Sequence, residues 1–120
     1  MEDFNDIAAL MASLPGDEER LEYLMELGGK LPKIPAGEAG AEIKGCASKV
    51  EILKKGADFY AAADSKMVAG LVYLILSLAS GKTDEEIRAA DFLGKISQLG
   101  LPIGQSRVIG LKAMEKFLKV

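Results

Sequence analysis

Apolar positions along the first third of the chain recur at helical intervals. Phe4, Ile7, Ala8, Leu10 and Met11 form one stripe, which ends at the turn-forming stretch Ser13-Leu14-Pro15-Gly16-Asp17. A second stripe, Leu21, Leu24, Met25 and Leu27, follows Gly16, with Asp17, Glu18 and Glu19 at the helix end where the macrodipole favours negative charge. The stretch from Gly28 to Pro35 stops this helix, because each proline disfavours helix in the residue before it. Residues 36–42, AGEAGAE, read as a small, polar surface loop. From Ile43 the period changes to two: Val50 and Ile52 share one parity, Lys49, Glu51 and Lys55 the other, and Leu53 is the exception. A turn at KKGAD and a returning strand from Phe59 to Ala63 complete a predicted hairpin.

The remainder reads as helical. Asp64 and Ser65 are candidate N-caps for an apolar helix from about Lys66 to Ser80. Thr83 with Glu86 three residues later is a capping box, which predicts a helix from Asp84 to about Asp91. A shorter helical piece spans Phe92 to Gly100. Ser106 is the candidate cap of a last helix with the stripe Ile109, Leu111, Met114, Phe117 and Leu118. The predicted class is α+β: a small antiparallel sheet flanked by N-terminal and C-terminal helices, in one domain over residues 1–120.

Composition narrows the chemistry. The net charge of −3 and the lack of a basic stripe argue against a nucleic-acid partner. The longest apolar run, Met67 to Ala79, is too short to span a bilayer, so no membrane role is expected. The acidic, polar N-terminus lacks the charged-then-apolar order of a signal peptide, and a single cysteine allows no internal disulfide. Both point to the cytoplasm. With no histidine and one cysteine, no metal site and no cofactor are expected, and histidine-assisted nucleophilic catalysis within the chain is excluded.

That one cysteine is the candidate reactive group. Cys46 follows Gly45, sits between Lys44 and Lys49, and lies where the loop meets the predicted strand. A lone intracellular cysteine is commonly a small buried hydrophobe. Against this, a loop–strand junction is a frequent place for functional groups, Gly45 permits an unusual φ, and the two lysines favour a thiolate. Parity puts Cys46 and Ser48 on the side of Val50 and Ile52, so the sulfur leans towards the core. Local physics leaves both readings open.

Four blocks, YLMELGGKLPKIP from Tyr23, IKGCASKV from Ile43, ADSKMVAGL from Ala63 and SRVIGLKAM from Ser106, come in the order and approximate spacing of the SufE family, which this chain resembles from about Glu18 to Phe117. The resemblance implies a fold shared with IscU-type scaffolds. It implies a sulfur acceptor that partners a SufS-like cysteine desulfurase and supplies a downstream iron–sulfur scaffold. It assigns Cys46 as the persulfide acceptor and places Gly45, Ser48, Asp64 and Arg107 as supporting or partner-binding residues. The chain departs from the family's usual pattern at Glu51, where an aromatic residue is common, and at Pro102–Gln105 before the last helix. From the residues alone, Asp64 reads first as a helix cap and Arg107 as one half of an ion pair. A non-catalytic module that regulates a desulfurase, with Cys46 structural, is the alternative function.

Overall fold

The computed structural model describes all 120 residues, Met1–Val120. Six helices and three strands follow one another: α1 (Phe4–Ser13), α2 (Asp17–Gly28), β1 (Ala41–Glu42), β2 (Val50–Lys55), β3 (Asp58–Ala63), α3 (Lys66–Ala79), α4 (Asp84–Ala89), α5 (Phe92–Ser97) and α6 (Gln105–Leu118). The α+β class predicted from the pattern is the observed one.

Helix α3 is the centre. Ten of its residues are buried, including the consecutive run Val68 to Leu76, so it is apolar on all sides because it is covered on all sides. Helix α2 lies against it through a glycine–glycine crossing. A Cβ on Gly28 would fall 2.7 Å from the Gly70 nitrogen, and one on Gly70 would fall 2.7 Å from Leu24 Cγ. Only bare backbone allows that approach, and it drives Leu24 and Leu27 completely out of solvent. Ser65 caps α3 by accepting the Val68 N–H (3.4 Å).

The sheet has the order β1-β2-β3, antiparallel throughout. Register runs from Val50↔Ala63 to Lys55↔Asp58, with Gly56 at φ +65° opening the turn, a conformation glycine adopts without steric penalty. Val50, Ile52, Phe59 and Ala61 face the core. The proline-rich segment after α2 covers part of the outer edge of β3, where the Ala61 N–H donates to the Pro32 carbonyl (2.9 Å). All but three buried residues join one core cluster; the exceptions are Ala69, Gly70 and Gly110.

Some expectations need correction. Ala41 and Glu42 are not loop: they pair with Ile52 and Glu51 as β1. Conversely, residues 44–49 are turn and bend, not the start of a strand, because Ile43 N–H already bonds the Val50 carbonyl (2.9 Å) and closes the loop at its base. Helices α4 and α5 stop earlier than predicted, at Ala89 and Ser97. The last helix is entered from Gly104, and Ser106 lies exposed inside its first turn. Ile109 is 50% exposed; Gly110 takes the buried position beside it. The capping box at Thr83 and Glu86 is present as expected, with both reciprocal bonds formed (2.9 and 3.1 Å).

The α2–α3 crossing gives a stringent test. Alanine normally improves a helix by ~1 kcal/mol over glycine. Gly70→Ala is nevertheless expected to destabilise the protein by about 3 kcal/mol, since its methyl meets Leu24. Urea unfolding followed by circular dichroism measures the change; equal or greater stability contradicts the crossing.

Candidate functional site

The cysteine loop, residues 43–50, is an excursion between β1 and β2 that is tied down at both ends and free of regular structure between them. At its exit, Asp64 does what a helix cap does not: its Oδ1 accepts the Lys49 N–H (3.2 Å), and its own N–H donates to the Lys49 carbonyl (3.3 Å). The cap reading of Asp64 is corrected on that ground; Ser65 caps α3 and Asp64 fastens the loop to its start. Gly45 adopts φ +94°, a region that side chains strongly disfavour. A Cβ there would also press to 3.3 Å from the Ala113 Cβ of α6.

This backbone bend turns Cys46 inward. The thiol Sγ–H donates to the Gly110 carbonyl of α6 at 3.7 Å, a long and weak sulfur contact. Gly110 lies directly beside the cysteine: a Cβ there would stand at ordinary contact distance, 3.5 Å, from the sulfur. The sulfur borders a cavity of about 80 Å³ walled by Val68 and Leu71 of α3 and by Arg107 and Met114 of α6, with Ser48 at its side. That volume is several times the roughly 10–15 Å³ at which a cavity begins to hold a water.

Electrostatics correct two further readings. Lys44 and Lys49 do not activate the thiol. They point outward and pair with Glu42 (4.0 Å) and Glu51 (3.5 Å). Burial instead pushes the Cys46 thiol above its ordinary pKa, because a low-dielectric surrounding penalises the thiolate. Arg107 forms none of the seven ion pairs in the protein. Its Nε is shielded from solvent with no hydrogen-bond acceptor, on a half-buried side chain at the cavity wall.

Cys46, Ser48 and Arg107 thus meet at one cavity, Gly45 shapes the loop that reaches it, and Asp64 stands at the loop's base rather than in the cavity. Sequence reasoning missed Gly110 and Ala113, the α6 surface that receives the loop. The available signal was a glycine in the interior of an otherwise good helix.

A family model described as SufE, Fe–S metabolism associated domain, matches residues 5–120. The chain belongs to the SufE family. It is 32% identical over 114 residues to an uncharacterized SufE-like protein of Rhizobium meliloti (strain 1021), covering 85% of this chain and 81% of that one. It is 30% identical over 108 residues to the sulfur acceptor protein CsdE of Escherichia coli (strain K12), covering 82% of this chain and 74% of CsdE. A solution structure of a hypothetical protein from Thermus thermophilus superposes with a TM-score of 0.75 at 22% identity, over 97% of this chain and 90% of that one, a likeness of fold. No helix of this SufE-family protein is long and apolar enough to cross a membrane.

The half-buried thiol has a measurable titration. Its folded pKa lies above the unfolded one, so the unfolded chain releases its proton first as pH rises. Stability is unaffected below both values and declines between them. Iodoacetamide alkylation of the folded protein is expected to reach half its maximal rate at a higher pH than alkylation in urea. A midpoint at or below that of the unfolded chain would contradict the buried position.

Proposed function

We propose that the chain is a sulfur acceptor: Cys46 takes the outer sulfur of a persulfide carried by a cysteine desulfurase and passes it on for iron–sulfur assembly. The observation that carries this reading is the seat of the single cysteine. A loop bent at Gly45 holds the sulfur against a cavity lined by Gly110, and Arg107, which forms no ion pair, lies in the same wall. Family membership and the likeness to CsdE support it.

The chemistry balances without a redox co-reactant. Cys46 as thiolate attacks the outer sulfur of the donor persulfide; a new S–S bond forms at Cys46, the donor's S–S bond breaks, and the donor thiolate leaves and is protonated. The net exchange is Cys46–SH plus donor–S–SH giving Cys46–S–SH plus donor–SH. Rate follows thiolate fraction, leaving-group pKa and access, as in thiol–disulfide exchange. The resting pocket lowers thiolate fraction and access together, so reaction requires the loop to leave it. Asp64 and Gly45 are the positioning residues for that movement. Returned to the pocket, the persulfide has an about 80 Å³ void for its added sulfur, with the Arg107 side chain in the lining as the cation that meets its anion.

The alternative, a non-catalytic regulator of a desulfurase, draws on the packing of Cys46 against the core. Cys46→Ser separates the two, being nearly isosteric yet unable to hold a persulfide. It is expected to abolish transfer; a serine variant that stimulates turnover as well as the parent supports the regulator. In the direct test, the protein is mixed with a cysteine desulfurase and free cysteine without reductant, and its intact mass is recorded. The expected product is one sulfur atom heavier, mapped to Cys46 and reversed by a reducing thiol. Arg107→Ala is expected to lower its yield roughly tenfold, the ~1.4 kcal/mol scale of one charge-assisted hydrogen bond. Unmodified mass with every desulfurase tried removes the acceptor reading.

A further inference from the structure

The outer face of α6 carries a surface that the thiol chemistry does not use. Gln105, Ile109, Lys112 and Lys116 recur at intervals of four, three and four residues, which places them in one row along the helix, and all are exposed. Of the four large apolar side chains that are exposed, Met1 and Val120 are the chain ends and Leu10 lies on α1. Ile109 is the one on an element that touches the cysteine loop.

The row is basic within a chain of net charge −3. Neither Lys112 nor Lys116 takes part in any of the seven ion pairs. The one carboxylate of α6, Glu115, is turned away: it accepts the Leu93 N–H of α5 (3.1 Å) and sits 4.0 Å from Lys119. On one flank of the row, Ala113 lies beside Gly45 of the cysteine loop, where a Cβ on the glycine would stand 3.3 Å from it. On the other lies a groove of about 420 Å³, walled by Leu101, Ile103, Val108 and Leu111 with Lys112 at its rim.

We propose that this row and groove form the docking face for the sulfur donor, a protein surface that presents apolar side chains flanked by carboxylates. The apolar side chains seat on Ile109 and in the groove, and the carboxylates meet Lys112 and Lys116. The inference rests on the acceptor reading and adds to it where the donor lands. Complementary rim charge speeds encounter and sets orientation, while a central apolar contact holds the complex. A donor seated there lies one helix face from Gly45 and Gly110, the two points that hold Cys46 inward, so its arrival can displace the loop it must reach.

The test uses the full chain and the desulfurase that charges it fastest, and follows transfer by intact mass against acceptor concentration. Lys112→Glu with Lys116→Glu, and separately Ile109→Ser, are expected to raise KM for the acceptor about tenfold, with kcat at saturation within about twofold of the parent. The double charge reversal is also expected to flatten the salt dependence. Lys82→Glu, an exposed reversal outside this face, is the control and is expected to leave KM near the parent value. Unchanged KM in the α6 variants, or an equal rise in the control, overturns the docking face while the acceptor reading stands. Unchanged KM with loss of binding to anionic phospholipid vesicles reassigns the row to a membrane surface, and unchanged KM with loss of a concentration-dependent dimer reassigns it to self-association. A parent chain that never gains sulfur overturns the acceptor reading and this surface with it.

Discussion

The close approach of α2 and α3 at Gly28 and Gly70 is the constraint on which the rest of the molecule is built. With bare backbone at the crossing, Leu24 and Leu27 pack directly onto α3, and α3 becomes a helix with no solvent face over its middle turns. A core with few aromatic side chains needs this economy of distance, because branched aliphatic residues bury less area each and must touch on every side. The placement of α3 then fixes the site. Its start carries Asp64 to the exit of the cysteine loop, and Val68 and Leu71 supply the cavity wall that α6 closes from the other side.

Under the proposed acceptor role, the site holds two requirements in opposition. A transferable sulfur needs a thiolate in reach of a partner, and a persulfide needs shelter from other thiols. The resting structure meets the second at the expense of the first: the sulfur is turned inward, its pKa is raised by burial, and the lysines beside it face away. At the middle of the loop the sulfur makes a long 3.7 Å contact to a carbonyl and packs partly buried against the core, whereas backbone hydrogen bonds hold the loop's ends. A loop fixed at the base and loosely seated at the tip can exchange positions without disturbing the core. The unpaired Arg107 Nε fits the same picture, since a buried donor without an acceptor carries a desolvation penalty that an anionic sulfur would relieve.

Several features were legible in the sequence because they depend on neighbours in the chain. The helical stripes, the hairpin around Gly56, the Thr83–Glu86 capping box and the central buried helix all follow from local period and capping. The inward lean of Cys46 was also anticipated: residues 45–50 alternate exposed and inward positions, with Cys46 and Ser48 on the side of buried Val50, although this run does not pair as a strand and is entered through Gly45 at φ +94°. The readings that failed share one cause. Lys44 and Lys49 are adjacent to Cys46 in sequence but project to solvent, Asp64 sits where a cap belongs but bonds the loop, and Arg107 has no carboxylate within reach.

By itself the sequence determined the class, the order of every element but β1, and the SufE resemblance, since periodicity, caps, glycine positions and four ordered motif blocks are properties of the linear chain. It also singled out Cys46, because no other residue in the chain carries a thiol. Only the tertiary structure decided that α6 receives the loop, that the Gly110 carbonyl faces the sulfur, and that burial rather than neighbouring charge sets the thiol's pKa. These depend on residues 64 positions apart being brought into contact, and a desolvation energy has no meaning until the surfaces that exclude water are in place.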